Sequence, residues 1–295
     1  MERINELRLA WLVVLCCLLS LAPVNADEAE QAHVALVAEG EAEPLEDAID
    51  FSPAERPRLP DPVGAVLLVP PTEPDRVWVD KKKRSVIVDG YVTLQEGYLE
   101  MFACIAGTKE HEAVVSLESR AFLMHTGLLA VGAKPGKTAI YLPELRPVLA
   151  FDFFFSDIAT AYSTPQFFPP TGTEIEVTVH WLDREGVWQQ ARAQDWVIDG
   201  NTDKPMTQPW VFAGSGFWKD EQTGKEHYLA ESGDVICVSN FSTAMLDVPI
   251  ESSQQNDGLI FTANPKKVPP LGTPIRLVLT PKFVQEQGSD SEANN

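Results

Sequence analysis

The chain has 295 residues, of which 44% are hydrophobic and 22% charged, and its formal net charge is −20. A chain of this length and apolar content can bury a substantial core, as one large domain or as two small ones. The negative charge and the lack of a basic stripe exclude nucleic acid and anionic lipid as partners, because both bind clustered Lys and Arg side chains.

The first 26 residues have the pattern of a secretory signal peptide. Arg3 and Arg8 precede an apolar run from Leu9 to Leu21, and Val24–Ala26 stands where signal peptidase would cut. Because the run is too short to span a bilayer stably, we predict cleavage after Ala26 and no stable transmembrane segment afterwards. The predicted location is secreted or periplasmic, and retention of the run as an anchor is the alternative.

An acidic segment follows the predicted cleavage point. Between Asp27 and Asp61 eleven acidic residues oppose two arginines, a net charge of −9, and Phe51 is the one aromatic residue. Such a composition buries too little apolar surface to offset the entropy of ordering the chain. We therefore predict a disordered acidic linker over 27–74, a globular domain over 75–284 and a disordered acidic tail over 285–295.

The charge that remains for the globular part is modest. The tail carries −3 and the signal peptide is balanced, so that Pro62–Val284 carries −8 of the total of −20. Its one basic cluster, Lys81–Arg84, lies between two strand-like runs. A hairpin turn explains this cluster more simply than a site for phosphate groups does.

Two cysteines, Cys104 and Cys237, lie outside the signal peptide. An oxidising compartment would allow them to form a disulfide. Each also lies in an apolar strand-like run that would accommodate a buried free thiol. Both alternatives fit the sequence, and two cysteines are too few for an iron–sulfur cluster or a Cys₄ zinc site.

The first half of the globular part contains short strands and one clear helix. Val77–Asp80 and Ser85–Leu94 predict a hairpin, and strands are expected over Tyr98–Ile105, Glu112–Leu117 and Thr138–Leu142. A helix is predicted from Arg120 to Val131. Ser119 would be its N-cap and Gly132 its C′ residue, and Phe122, His125 and Leu129 would share one face.

In the second half of the globular part, apolar and polar residues alternate clearly in some segments. Leu149–Asp157 is apolar on both faces and predicts a buried strand, whereas Ile175–Trp181 alternates as a half-buried strand does. Asp183–Gly186 should turn that strand back into a partner from Val187 onwards. Further strands are predicted around Trp196–Asp199, and Trp210–Trp218 should form a hairpin with Glu226–Glu231. Gly233–Phe241 completes the set.

One loop motif recurs. Pro169-Pro-Thr-Gly-Thr and Pro269-Pro-Leu-Gly-Thr stand one hundred residues apart, and each precedes a strand-like run. The match is too short to indicate two tandem domains, so it indicates a repeated strand-entry loop in one sheet system or the independent use of good turn chemistry.

Several segments together resemble the YdjY family of exported bacterial proteins. They are CIAGTKEHE from Cys104, LLAVGAKPG from Leu128, PPTGTEIEV from Pro169, WVFAGSGF from Trp210, GDVICVSNFSTAMLDVPI from Gly233 and PPLGTPIRLVL from Pro269. The resemblance covers Arg76 to Thr280. It implies no activity, because the activity of this family is not established, and the additional cysteines of its ferredoxin-like members are not found in this chain.

The candidate site residues cluster around one loop. Cys104, His111, Glu112 and His125 supply donor types suited to zinc or copper, which leaves a divalent metal open as a cofactor. Against this, His111 and Glu112 would point to opposite faces of an extended strand. Since loops on a rigid sheet often carry function, any site is predicted to include His111 with Lys109 or Glu112.

The predicted fold class is α+β, a predominantly antiparallel β-sheet domain with one or two helices packed on it. The predicted function is a non-enzymatic binding or interaction domain with a protein or small-molecule ligand, because no complete catalytic signature is found. Ser215, for example, has Ala213 and Phe217 at the two positions where a G-x-S-x-G nucleophile elbow has glycines. The alternative is a metal-dependent or thiol-based enzyme centred on Cys104, His111 and His125.

Overall fold

The computed structural model describes residues 57–70, 75–142, 166–253, 255 and 258–283. Within these ranges short strands dominate, with one α-helix, α1 (Ala121–Ala130), and short 3-10 turns at Glu110–Glu112, Ala193–Trp196 and Leu229–Ser232. The strands are β1 (Val66–Leu67), β2 (Val77–Asp80), β3 (Ser85–Val92), β4 (Met101–Ile105), β5 (Ala113–Leu117), β6 (Ile140–Leu142), β7 (Gln166–Phe168), β8 (Glu174–Leu182), β9 (Trp188–Arg192), β10 (Val197–Asp199), β11 (Lys204–Pro205), β12 (Trp210–Phe212), β13 (Phe217–Lys219), β14 (Glu226–Tyr228), β15 (Ile236–Cys237), β16 (Leu246–Asp247), β17 (Phe261–Ala263) and β18 (Pro274–Pro281).

Eight of these strands close into a barrel. Their order is β3, β18, β8, β12, β16, β15, β4 and β5, and β5 pairs again with β3. All neighbours in this ring are antiparallel except the pairs β15–β16 and β4–β5, which are parallel. The prediction of a mostly β-sheet domain with a helix therefore holds at the level of class. A closed barrel replaces the simple sheet that we expected.

Strand β3 makes the closure possible because it changes partner along its length. Its first half pairs with β2, from Ser85 to Val88, and its second half pairs with β5, from Gly90 to Val92. A Cβ atom at Gly90 would lie 2.4 Å from the carbonyl oxygen of Ser116. Only glycine permits the backbone of β5 to approach β3 this closely.

Side chains on the long strands point alternately into and out of the barrel, and the inward-pointing apolar ones form its interior. Val86, Leu279 and Val177 lie side by side across β3, β18 and β8, and all three side chains are buried. Larger rings fill the remaining space; the fully buried ones are Phe102, Trp196, Trp210, Phe212 and Phe261. Burial of each such side chain stabilises the fold by about 1.5 to 3 kcal/mol, so the interior is the main source of stability.

Helix α1 begins and ends within one residue of its predicted bounds. Met124 and Leu128 are buried in the core, and a Cβ atom at Gly127 would lie 3.0 Å from Val86, so the helix packs against the β2–β3 side of the barrel. The predicted helix face is only partly internal. His125 is buried, but Phe122 and Leu129 are about half exposed.

The predicted N-cap of this helix is wrong. Ser119 Oγ accepts a hydrogen bond from the backbone N–H of Arg76 at 2.7 Å, and Arg120 occupies the cap position with no side-chain cap. The first helical N–H groups, of Ala121 and Phe122, instead donate to the carboxylate of Glu231 at 3.1 and 2.9 Å. A residue 110 positions away thus satisfies donors that a local serine was expected to satisfy.

The repeated loop motif introduces two strands that are neighbours in the barrel. The first copy precedes β8 and the second precedes β18, and these strands pair over seven residues, from Ile275–Trp181 to Pro281–Ile175. This pairing is consistent with a repeated strand-entry loop in one sheet system. Gly172 and Gly272 both have positive φ, of 139° and 77°.

The predicted hairpins are confirmed in part. β2–β3 and β8–β9 form the two expected hairpins. The Trp210–Trp218 segment, however, is divided between barrel strand β12 and the separate β13–β14 hairpin, because Gly214 and Ser215 turn the chain with positive φ. The strand predicted for Leu149–Asp157 lies outside the described residues, as do the signal peptide, the linker up to residue 56 and the predicted tail.

A strap formed by Pro57–Asp61 crosses the outer face of the barrel. Its Pro60 carbonyl accepts a hydrogen bond from Arg276 at 2.8 Å, its Asp61 carboxylate pairs with Arg76 at 2.6 Å, and Leu59 is buried. Beneath the strap, Arg276 and Asp89 form a largely buried pair at 2.7 Å. These contacts involve residues that precede position 75, the predicted start of the globular domain.

Candidate functional site

The loop of residues 107–112, which the sequence singled out, lies at the carboxyl end of β4. His111 is on its 3-10 turn with 78% of its side chain exposed, and its Nε2 lies 3.7 Å from Glu112 Oε2. Lys109 Nζ lies 3.8 Å from the other oxygen of Glu112. The structure thus brings together Lys109, His111 and Glu112, three of the five predicted site residues.

Lys109 points inward and neutralises a group of carboxylates. Its ammonium lies 3.0 Å from Asp234, whose side chain is only 5% exposed, and 4.0 Å from Glu100. Thr243 and Ser232 donate hydrogen bonds to the second oxygen of Asp234. Burial and the neighbouring Glu112 raise the pKa of Glu100, and the surrounding carboxylates raise the pKa of Lys109 against the effect of its own burial. Lys109 therefore pairs with carboxylates from separate segments of the chain at this end of the barrel.

The two cysteines lie in one small apolar cluster behind this loop. Cys104 and Cys237 are both buried, are free thiols in the structure, and pack with Met101, Ala113 and Ala244. Burial raises the pKa of Cys104 to about 12, and burial followed by the carboxylates of Asp247 and Asp234 raises the pKa of Cys237. Neither thiol is activated as a nucleophile, since activation requires a lowered pKa.

His125 belongs to a different part of the core. Its Nδ1 lies 2.9 Å from the Tyr228 hydroxyl, which donates to the Gly214 carbonyl at 3.2 Å, and its ring packs edge-on against Phe212. Burial lowers the pKa of His125, so the imidazole is neutral at pH 7. These contacts satisfy His125 as a core residue, and the structure does not place it with the 107–112 loop.

The side chains that could bind a metal ion are dispersed in the part of the chain that the structure describes. Within the described ranges, no three His, Cys, Asp or Glu side chains converge in a way that could hold a metal ion. The nearest approximation, Glu100, Glu112 and Asp234, surrounds the ammonium of Lys109. These three carboxylates are therefore paired with an internal lysine.

A groove of about 780 Å³ opens beside this loop, and no pattern in the sequence indicates it. One wall is the segment before and within β6, and the other is the chain around Asn240 and Glu251; the lining residues are Thr138, Ala139, Ile140, Tyr141, Asn240, Phe241, Ser242, Glu251, Ser253 and Gln255. We call it the Tyr141 groove. Its volume lies within the usual range for small-molecule sites.

Phe241 connects the groove to the predicted loop. Its ring lines the groove and also lies 4.4 Å from the ammonium of Lys109. A cation held at this distance from a ring contributes an attraction that fixes the position of the ring. Lys109 therefore acts on the groove wall indirectly, through Phe241.

Asn240 fixes the floor of the Tyr141 groove. Its amide nitrogen donates to Asp247 Oδ1 and to the Val248 carbonyl, both at 3.1 Å. Its amide oxygen accepts from the Ser252 N–H at 2.8 Å and from the Tyr141 hydroxyl at 3.3 Å. The bond with Tyr141 joins the two walls, and the other three fix Asn240 to its own side of the groove, so this part of the site is held in place before any ligand binds.

Behind Asn240 lies a buried carboxyl group. Asp247 is fully buried, and its Oδ2 has no hydrogen-bond partner among the described residues, whereas its Oδ1 also accepts from the Val248 N–H at 2.8 Å. Burial raises the pKa of Asp247 to about 7, against the effect of the Asn240 hydrogen bond. Asn240, which lines the groove, is therefore hydrogen-bonded to a carboxyl group whose charge changes near neutral pH.

The described residues define a class of protein, a mixed β-barrel domain with one packed helix and a lateral groove. Residues 77–280 match the family model of the YdjY domain, and the chain belongs to this family. No curated protein and no solved structure matches the chain. No helix in the described ranges is long and apolar enough to cross a membrane.

Proposed function

We propose that this protein is an exported, non-enzymatic binding domain whose small-molecule ligand occupies the Tyr141 groove. The observation that carries the proposal is the groove itself, with hydroxyl, amide and aromatic side chains on walls that Asn240 ties together. Concave sites with a few fixed polar groups on a partly apolar lining are typical of small-ligand binding.

The neighbouring residues support binding more than catalysis. Cys104 is buried with a pKa of about 12, and His125 is committed to Tyr228. Ser215 donates its hydroxyl hydrogen to the Thr243 carbonyl at 2.7 Å, whereas a nucleophilic serine needs a base at that position. A binding role requires none of these groups to react.

Export is the second part of the proposal, and it is supported by the sequence of the first 26 residues. It predicts that the protein recovered outside the cytoplasm begins at Asp27. Amino-terminal sequencing tests this directly. A chain that still begins at Met1 would show retention of the apolar run.

The binding proposal is tested with a groove-filling variant. Ser242 is an exposed lining residue, and Ser242→Trp should occupy the space that a ligand needs. Thr223→Trp, on the exposed turn between β13 and β14, is the matched control. A defined panel of sugars, amino acids, amines, nucleosides and carboxylic acids is screened by thermal shift, because a ligand stabilises the protein to which it binds.

We expect at least one panel compound to raise the melting temperature of the wild type and of Thr223→Trp but not of Ser242→Trp. If no compound shifts the wild type, or if Ser242→Trp responds as the wild type does, then the groove is not the binding site.

A further inference from the structure

The charge on the walls of the Tyr141 groove has one sign. Among the ten lining residues the one ionised side chain is Glu251, which is exposed; the others are neutral polar or apolar. The carboxyl of Asp247 lies directly behind Asn240. Burial first, and then the coulombic effects of Glu251 and Asp247, raises the pKa of the Tyr141 hydroxyl. Among the ten lining residues, the formal charge is therefore that of the Glu251 carboxylate.

Among the described residues, two basic side chains are close to the lining residues in space or in sequence, Lys109 and Lys137. Lys109, on the far side of Phe241, has three carboxylates around its single ammonium, those of Glu100, Glu112 and Asp234. That group of four side chains therefore keeps an excess of negative charge. Lys137, which precedes the first lining residue, is exposed. An anionic ligand would meet repulsion here, and a cationic ligand would be attracted.

The volume and the aromatic lining of the Tyr141 groove favour an organic cation over a bare metal ion as the ligand. A groove of 780 Å³ is far larger than the roughly 30 Å³ that a water molecule occupies. The ring of Tyr141 lies on its wall, held by the ring of Phe167 at 5.1 Å between centroids. An ammonium group over such a ring gains a cation–π attraction, and its methylene groups gain apolar contact.

We propose that the Tyr141 groove selects a small organic cation, whose ammonium group pairs with Glu251 and lies against the Tyr141 ring. This inference rests on the proposed binding function and adds the chemical class of the ligand. Glu251 supplies the charge and Tyr141 the aromatic face. The hydroxyl and amide groups of Thr138, Ser242 and Gln255 remain for the polar end of the ligand.

The test compares two probes of the same shape and different charge, choline and its uncharged isostere 3,3-dimethylbutan-1-ol. Both are titrated into protein produced from the full 295-residue sequence, and binding is followed by isothermal titration calorimetry and by NMR shifts of the lining residues. Glu251→Gln keeps the size of the side chain and removes its charge, and Glu185→Gln, on the β8–β9 turn, is the matched control. Tyr141→Leu removes the aromatic face.

We expect choline to bind at least about tenfold more tightly than the isostere, since pairing with a carboxylate and a ring together exceeds either alone. Glu251→Gln should weaken choline binding several-fold and leave the isostere unchanged. Tyr141→Leu should weaken choline binding by a larger factor than isostere binding, whereas Glu185→Gln should bind both as the wild type does.

Four results would overturn the inference. Equal affinity for the two probes, or an effect of Glu185→Gln equal to that of Glu251→Gln, would show that charge at Glu251 does not select the ligand. Binding of a neutral or anionic panel compound in the groove, with no binding of choline or of any panel amine, would refute the cation preference but keep the binding function. If no compound of any charge perturbs the lining residues, both proposals fail.

Discussion

Asp247 makes the stability of the protein depend on pH at the scale of a single residue. Its pKa of about 7 in the folded state compares with about 3.9 in an unfolded chain. The folded state therefore keeps this proton between about pH 4 and pH 7, where the unfolded state has released it. Stability contributed by this group is complete below about pH 4, falls as the pH rises towards 7, and is lost above it.

Asp247→Asn should therefore stabilise the protein at pH 8. The amide oxygen can still accept from Asn240 and from the Val248 N–H, and no charge has to be buried. We expect a gain of about 1 to 4 kcal/mol at pH 8 and little change at pH 4. Urea unfolding at both pH values measures it, with Asp203→Asn on an exposed turn as the control. A loss of stability at pH 8 would mean that the ionised carboxylate is needed.

Lys109 and His111 are close neighbours in sequence but have different environments. Substitutions at the two positions should therefore have different effects on the stability of the fold. Lys109→Met keeps the side-chain length and leaves Glu100, Glu112 and Asp234 without a counter-charge. We expect it to lower the free energy of unfolding by about 1 to 3 kcal/mol at pH 7. His111→Ala, which removes a side chain that is 78% exposed, should change the melting temperature little.

Ligand binding provides the second measurement on the same pair. If Lys109 orients Phe241, then Lys109→Met should also weaken any ligand of the Tyr141 groove, whereas His111→Ala should not. The sequence favoured His111 as the functional residue of this loop. A variant His111→Ala that keeps its stability and loses ligand binding would support that sequence-based prediction and contradict the proposed role of the groove.

The loop was predictable and the groove was not, for a physical reason. Lys109, His111 and Glu112 are neighbours in sequence, so composition alone drew attention to them. Tyr141 and Asn240 are 99 residues apart, and a hydrogen bond between them depends on the course of the chain between those positions. Neither residue has a neighbour in sequence that signals its role.

At the scale of secondary-structure elements, the loop before β8 requires a glycine because the backbone of another strand lies very close to it. A Cβ atom at Gly172, in the loop before β8, would lie 2.0 Å from the Phe212 carbonyl oxygen, and its φ is 139°. That carbonyl accepts a hydrogen bond from the Gly136 N–H, so it cannot move without losing a partner. The Pro-Pro-x-Gly-Thr motif therefore carries a steric requirement as well as turn chemistry.

Gly172→Ala should destabilise the protein by about 2 to 4 kcal/mol, because both the backbone conformation and the contact with Phe212 oppose a side chain. Gly186→Ala is the matched control, since Gly186 has φ of 76° but no atom within 4 Å of its added Cβ. Its cost should be only the conformational one, about 1 kcal/mol. Chemical denaturation compares them, and equal losses would show that the close approach carries no energy.

The helix and the hairpins show which features of the fold could be predicted from the local sequence pattern. The bounds of α1 followed from its composition and from Gly132, whose φ of 91° suits the C′ position. Its N-terminus did not, since Glu231 lies on a distant 3-10 turn and Ser119 is committed to Arg76. Alternation likewise located β8 and the β8–β9 turn, because one buried face is enough to set that pattern.

At the scale of the whole molecule, closure of the barrel is the feature that local pattern could not supply. It depends on β3 pairing with β5 beyond the point where β2 ends, and on two parallel pairs, β4–β5 and β15–β16. Strands β15 and β16 have only two residues each, too few for an alternation to be recognised. Partner choice among short strands is set by the tertiary core rather than by their own sequences.

The strap of Pro57–Asp61 makes a last prediction about where the folded unit begins. A glutamate-specific protease can cut after Glu55 and trypsin can cut after Arg58, although not after Arg56, which precedes Pro57. The strap carbonyls of Pro57 and Pro60 accept hydrogen bonds from Tyr91 and Arg276, and Leu59 is buried, so the bond after Arg58 should be protected. We expect limited proteolysis to remove the acidic segment up to about residue 56 and to leave a product that still contains the strap. Mass spectrometry of that product defines its first residue.

Arg276 provides the control for this boundary. Arg276→Met should release the strap, because it removes the donor to Pro60 and the partner of Asp89, and the product should then begin near β1 or β2. The barrel predicts that either product elutes as one particle under native conditions, since β3 pairs with β18 and β18 with β8 across the two halves of the chain. Two separable folded fragments divided near Pro169 would contradict a single domain.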